Sequence, residues 1–205
     1  MRTHVKLIAG LGNPGPRYAG TRHNAGFFVI DELSRRHGLA PRHTSQAEEL
    51  SLGGVTLIKP ATFMNLSGRA VQAYLTRLKV KPEQLLVIHD DLDLPLGRLR
   101  VRPGGGGPGG QKGVRDIIGR LGPDFARLKV GIGRPPSGWA PERWVLSRFH
   151  ADEFETLERV IETAADAVEE IMAAGLEPAM NRFNGLDLAA SPDEEVAGEN
   201  VTPEP

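Results

Sequence analysis

Val5-Lys-Leu-Ile-Ala-Gly-Leu-Gly-Asn-Pro-Gly-Pro16 is the stretch on which the fold turns. Val5 to Ala9 is a short apolar run of strand length. Directly after it, Gly10, Gly12 and Gly15 satisfy the G-x-G-x-x-G pattern of dinucleotide-binding folds. In such folds the last glycine opens a helix whose N–H groups and dipole receive a pyrophosphate. Here Asn13, Pro14 and Pro16 make a turn instead. The nearest acid, Asp31, falls within the next helical stripe rather than at a second strand end. The segment therefore reads as a strand running into a turn, with a dinucleotide enzyme as the weaker alternative.

Outward from this strand, further apolar runs appear at Val55 to Ile58, Leu85 to His89, Leu99 to Arg102 and Leu128 to Ile132. Helical periodicity falls between most of them. Phe27, Ile30 and Leu33 make a short stripe ending before Gly38, and Val71, Tyr74, Leu75 and Leu78 follow i, i+3, i+4, i+7 spacing. A final helix carries Phe154, Leu157, Ile161, Ala164, Val168, Ile171 and Met172 on one face. Its expected start is a capping box of Asp152 with Glu155 and its expected stop is Gly175. Strands alternating with helices predict a single-domain α/β sheet.

Composition bounds the chemistry. The chain has 205 residues, ordinary hydrophobic content and no cysteine, which excludes disulfides, thiolate nucleophiles and cysteine metal sites. No stretch approaches the roughly 20 apolar residues of a membrane helix. The N-terminal run lacks the pattern of a secretory signal, so a cytoplasmic location is expected. Residues 187–205 carry six acids and no base, leaving 25 bases against 20 acids in the remainder. A domain spanning 1–186 with an acidic, disordered tail at 187–205 is expected, because the tail has too little apolar surface to offset its ordering entropy. The mildly basic body permits a polyanionic partner.

Five constellations hold reactive groups. Gly10 to Gly15 is the first. In the second, Thr21-Arg-His-Asn24, His23 sits just before a helix and can accept a proton near neutral pH; as an isolated residue it reads rather as a surface histidine that caps or decorates a helix start. In the third, His89-Asp-Asp-Leu-Asp93, a strand end presents carboxylates where α/β sheets open onto a crevice. Asp90 could orient a histidine there, and a metal site or a solvated turn compete with that role. In the fourth, Pro60 to Gly68, Asn65 or Ser67 could cap a helix, or Asn65 could offer its amide to a ligand. The fifth is two basic ladders, Arg98, Arg100 and Arg102, and Arg127 and Lys129, each on one strand face. Phosphate recognition is favoured if both face the same side as His23; a solvated sheet face is the alternative. Between them lies a glycine run, Gly104 to Gly107, Gly109 and Gly110, which lacks the Gly-Lys-Ser/Thr ending of a P-loop.

Taken together, Gly10 to Gly15, Tyr18 to Gly26, Lys59 to Gly68, His89 to Gly97 and Lys129 to Arg134 resemble, in order, the motifs of the bacterial peptidyl-tRNA hydrolase family over about residues 4 to 185. That resemblance implies a monomeric fold with a mixed twisted sheet flanked by helices, in a phosphorylase/hydrolase-like three-layer arrangement, without metal or cofactor. It implies hydrolysis of the ester joining a peptide to the 3′-terminal ribose of tRNA, with His23 as general base and Asp90 orienting it. Asn13 then distinguishes a blocked from a free α-amino group. Asn65 holds the substrate near the scissile carbonyl, with Tyr18 and Phe63 beside the 3′ end, and Arg102 and Lys129 clamp an acceptor-stem phosphate. The chain departs from the family at Gly109-Gly-Gln-Lys-Gly113, where Gly-Gly-His-Asn-Gly is usual, so Lys112 replaces an asparagine and is expected to attract the acceptor end. A non-catalytic RNA-binding protein on the same fold is the main alternative.

Overall fold

A computed structural model of the chain describes residues 5–189. In chain order its elements are β1 (Leu7–Gly10), α1 (Ala25–His37), β2 (Arg42–His43), β3 (Ala47–Leu52), β4 (Val55–Pro60), α2 (Ser67–Leu78), β5 (Leu85–Asp91), β6 (Leu99–Arg102), α3 (Lys112–Leu121), β7 (Ala126–Gly131), α4 (Pro141–Val145), α5 (Phe154–Ala174) and α6 (Leu176–Phe183). The described strands form one mixed sheet ordered β2-β3-β4-β1-β5-β7-β6. The central four, β4, β1, β5 and β7, run parallel, while β2, β3 and β6 are antiparallel to their neighbours. Parallel strands buried on both faces need apolar residues in unbroken runs, and Leu85 to Ile88 supply one.

Alternate residues of those runs feed two cores. Ile8, Leu57, Leu86, Ile88, Leu128 and Val130 meet Val29, Ile30 and Leu33 of α1 and Val160, Ala164, Val168 and Ile171 of α5. Leu7, Ala9, Ile58, Leu85 and Val87 meet Val71, Tyr74 and Leu75 of α2 and Val114 and Ile117 of α3 on the other face. The result is three layers, each fully buried aliphatic side chain contributing about 1.5–3 kcal/mol.

Several local expectations change. The turn before α5 is built by Glu153, not Asp152 with Glu155: the Glu153 carboxylate accepts the His150 N–H at 2.7 Å. It is preferred because the same carboxylate is held by Arg22 from across the molecule. Phe154 stands 56% exposed, outside the core face it was expected to begin, whereas Val160 is buried in it. Gly175 does end α5, with φ of 97°. Strand β3 shows little apolar alternation because it lies toward the sheet edge, and Gly113 and Gly119 weaken the helical signal of α3. The acidic stretch begins tied down: Arg98 donates to the carbonyls of Gly185 and Leu186 and to Asp187, and the Leu188 N–H reaches Gly97. The remainder of the expected tail, from 190 on, lies outside the described residues. Among the described residues no helix is long and apolar enough to cross a membrane.

Candidate active site

The site lies where β1 and β5 end against the start of α1. Gly26 makes this approach possible: a Cβ there would collide with the Ile88 carbonyl oxygen and the Leu11 nitrogen. One 3-10 turn, Arg22–Asn24, precedes α1 and carries His23. Both its neighbours are pinned. The Asn24 side chain accepts the Asn13 N–H at 2.9 Å and donates to the Asn13 carbonyl at 3.0 Å. Arg22 is fully buried and donates twice to Glu153, at 2.9 and 2.6 Å. Its guanidinium lies 3.8 Å from the Trp144 ring centroid and 4.5 Å from that of Phe149. Burial pushes the Glu153 carboxyl up, but hydrogen bonds from Arg22 and His150 outweigh it and hold the group below the usual carboxylate range.

His23, 7% exposed, faces Asp90, 2% exposed, with Nδ1 2.9 Å from Oδ2. A carboxylate only accepts, so Nδ1 carries the proton and Nε2 is left as an acceptor. Nε2 has no protein partner among the described residues, and His23 lines a cavity of about 340 Å³. Asn13, Tyr18, Phe63, Asn65, Asp90 and Lys112 line the same cavity. The Asn13 Oδ1 accepts the Met64 N–H at 2.8 Å, which leaves its amide nitrogen free among the described residues. Asn65 is exposed and makes no side-chain hydrogen bond within the described residues. Neither Asn65 nor Ser67 caps α2: Ser67 donates back to the Met64 carbonyl, and Asp116 of α3 accepts the Gly68 N–H. Tyr18 and Phe63 meet edge to face, their centroids 6.1 Å apart, with Phe63 54% exposed. Lys112 opens α3, its Nζ 3.9 Å from Glu142 of α4.

The remaining acids do not converge. Asp91 accepts from Lys129 at 2.6 Å and from the Asp93 N–H at 2.8 Å, and Asp93 pairs with Arg134 at 2.5 Å. Among the described residues no three His, Asp or Glu side chains group to hold a metal ion. His89 is buried; its Nδ1 donates to the Asp90 carbonyl at 2.7 Å, and Nε2 has no partner among the described residues. Burial pushes that imidazole below its ordinary value.

The basic ladders resolve into four different roles, Lys129 being held by Asp91. Arg100 pairs with Lys129 and Arg102 with Arg127 across β6 and β7, so those four share one sheet face. Lys129 also registers with His89, and Asp90 with Val130. The ladders therefore lie on the face opposite Asp90 and His23, so the condition set for favouring phosphate recognition is not met by sheet face. Arg98 has left the ladder for Asp187. Arg127 is buried and donates to the carbonyls of Gly107 and Gly106, so it struts the glycine run. Arg100 and Arg102 are exposed, with no ion-pair partner among the described residues.

Sequence reasoning missed Gln111, whose Nε2 lies 3.0 Å from Asp90 Oδ1, and the anchoring role of Arg22. The signal for Gln111 was a helix N-cap, hidden because α3 itself was not anticipated. No helix opens after Gly15, where a dinucleotide fold requires one; α1 begins at Ala25.

Residues 7–191 match the family model for peptidyl-tRNA hydrolase. A peptidyl-tRNA hydrolase of Deinococcus deserti is 50% identical over 197 residues, covering 92% of this chain and 89% of that protein. One of Rubrobacter xylanophilus is 52% identical over 179 residues, covering 85% and 98%. The crystal structure of peptidyl-tRNA hydrolase from Acinetobacter baumannii matches with a TM-score of 0.85 at 34% identity, covering 92% of this chain and 98% of that one.

Proposed function

The chain belongs to the peptidyl-tRNA hydrolase family and hydrolyses peptidyl-tRNA, and on that premise we propose that His23 is the general base of the reaction. The observation that carries this is the 2.9 Å approach of His23 Nδ1 to Asp90, which leaves Nε2 facing the cavity without a partner among the described residues. Nε2 takes a proton from water as the water oxygen attacks the ester carbonyl. When the carbonyl carbon–oxygen bond to ribose breaks, the same imidazole returns the proton to the 3′ oxygen. The products are a peptide acid and a free 3′ hydroxyl, and no covalent intermediate is needed. Base catalysis of this kind contributes about 10² to 10⁴ in rate. Asp90 holds the tautomer and offsets the charge of the imidazolium.

The unbonded Asn65 amide donates to the developing oxyanion. The free amide nitrogen of Asn13 donates to the carbonyl of the blocking acyl group or first peptide bond. A free α-ammonium offers donors only, so an unblocked aminoacyl ester cannot accept this hydrogen bond. Tyr18 and Phe63 receive the 3′ end, and Lys112 draws it toward the cavity. Arg102, with Arg100 beside it, lies on the sheet face opposite His23, and its contact with acceptor-stem phosphate, a backbone interaction that carries no base information, is carried over from the family alone. The enzyme works in the cytoplasm as a monomer without metal or cofactor, its catalytic domain spanning 1–186 and its acidic tail 187–205.

The test is release of N-acetyl amino acid from N-acetyl-aminoacyl-tRNA. His23→Ala should lower single-turnover cleavage by about 10² to 10⁴ with the fold intact. Unchanged cleavage would refute the base.

A further inference from the structure

Behind the imidazole–carboxylate pair stands a third side chain with no assigned part in the reaction. Gln111 is 7% exposed and is the N-cap of α3. Its Oε1 accepts the Val114 N–H at 2.8 Å. That backbone donor decides the orientation of the amide, so the end facing Asp90 is the NH₂ group, with Nε2 3.0 Å from Oδ1. The two carboxylate oxygens are therefore divided, Oδ2 to His23 and Oδ1 to Gln111, and donors on both fix the plane of the carboxylate. Nε2 also lies 3.0 Å from Met64 Sδ, and Met64 is the residue whose N–H holds Asn13. One amide thus touches the support of the base and the segment that orients Asn13.

We propose that Gln111 is a positioning residue for the hydrolysis, holding Asp90 in the orientation that presents His23 to water. The inference rests on His23 being the base. Glutamine suits the place because it donates without adding a charge or an ionisation beside Asp90. The other charged groups nearby have partners of their own: Asp91 is held by Lys129, and Lys112 faces Glu142. His89 lies on the opposite sheet face with its Nδ1 on the Asp90 carbonyl. The backbone turns tightly into this position through Gly109 and Gly110, at φ of 60° and 82°, and the Gln111 N–H closes the turn on the Pro108 carbonyl at 3.1 Å. The end of the glycine run is in this way built into the support of the base.

Gln111→Glu separates positioning from helix capping. It keeps an oxygen for the Val114 N–H but sets a carboxylate against Asp90, and two such groups side by side share a proton at low pH. The expected result on N-acetyl-aminoacyl-tRNA is a kcat about tenfold or more below wild type near neutrality, with KM unchanged. A second limb should appear in the pH–rate profile, with activity recovering on the acid side as the shared proton restores a donor. Gln111→His, which can donate to Asp90, should restore most of the turnover near neutrality. A Gln111→Glu enzyme with wild-type kcat and a single limb overturns the proposal. So does a loss of kcat that only tracks unfolding by circular dichroism, since capping alone would explain it. His23→Ala is run in parallel. If it retains turnover, the base assignment falls and takes this inference with it; if it is inactive while Gln111→Glu behaves as wild type, Gln111 alone is wrong.

Discussion

The cavity at the strand ends and the outer face of β6 and β7 are both rich in polar side chains, yet they are built in opposite ways. In the cavity, the groups behind His23 are tied down: Asp90 at both oxygens, Asn13 by Met64, Arg22 by Glu153. On the β6 face, Arg100 and Arg102 extend into solvent with no ion-pair partner among the described residues. A buried network with each donor matched to one acceptor selects a single geometry. Exposed guanidinium groups supply a field that tolerates many geometries. Changes in the cavity should accordingly appear in kcat and in folding, and changes on the open face in KM and salt dependence.

The sharpest way to break that contrast is Asp90→Asn. His23 Nδ1–H and Gln111 Nε2–H both need an acceptor, and an amide offers one where the carboxylate offered two. Turnover should fall by roughly 10² to 10⁴, as when a histidine loses its orienting carboxylate in acyl-transfer triads. A pre-steady-state measurement showing less than about a threefold fall would mean the network is decorative.

Next in size is Arg22→Met. It leaves Glu153, whose side chain is 21% exposed, without its partner and should cost about 1.5–3 kcal/mol of stability in a urea titration. The same pair sets a pH dependence. Because the folded Glu153 sits below its unfolded value, its contribution is present above about pH 4.3 and is lost as pH falls through the folded value. An ordinary surface-residue change in stability would show that the turn carrying His23 is held by something else.

His89 sharpens the comparison from inside the sheet. Its folded imidazole resists protonation through burial. Below about pH 6.5 the unfolded chain therefore binds a proton that the folded chain excludes. Stability should decline with falling pH by up to about 1.4 kcal/mol per unit, until the folded value is reached. His89→Gln should flatten this slope; an equally steep slope in that variant would assign it to other groups.

The smallest effects belong to the open face and the cavity mouth. Arg102→Ala should leave saturating kcat unchanged and reduce the slope of log affinity against log salt by about 0.7–0.9, the amount that accompanies one phosphate left unneutralised. Lys112→Asn should reduce it by less, since Glu142 already faces that ammonium. A fall in kcat at saturating substrate in Arg102→Ala would erase the distinction between the two regions.

Much of the scaffold was legible because its signals are local. Apolar runs of strand length marked the buried strands, Gly175 marked the end of α5, and the prolines after Gly12 barred a helix at Gly15. His23 and Asp90 each stood out beside an element boundary, but their pairing was implied by the family resemblance. Helix α3 was hidden by Gly113 and Gly119, and with it the cap residue Gln111. The turn before α5 was misread because Glu153 draws its importance from Arg22, 131 positions away.

By itself, then, the amino-acid order determined the alternation of strands and helices, the turn after β1 and the residue types available for acid–base chemistry. These depend on periodicity and on the backbone limits of proline and glycine, which act over a few positions. Only the tertiary structure decided what each charged side chain does. Arg98, Arg102, Arg127 and Lys129 look alike in the chain, yet one binds the C-terminal segment, one stands open to solvent, one struts the glycine run and one neutralises Asp91. The physical reason is that a charge is spent or available according to its nearest neighbours in space. Those neighbours, such as Asp90 for His23 across 67 residues, come together only when the sheet and its helices pack.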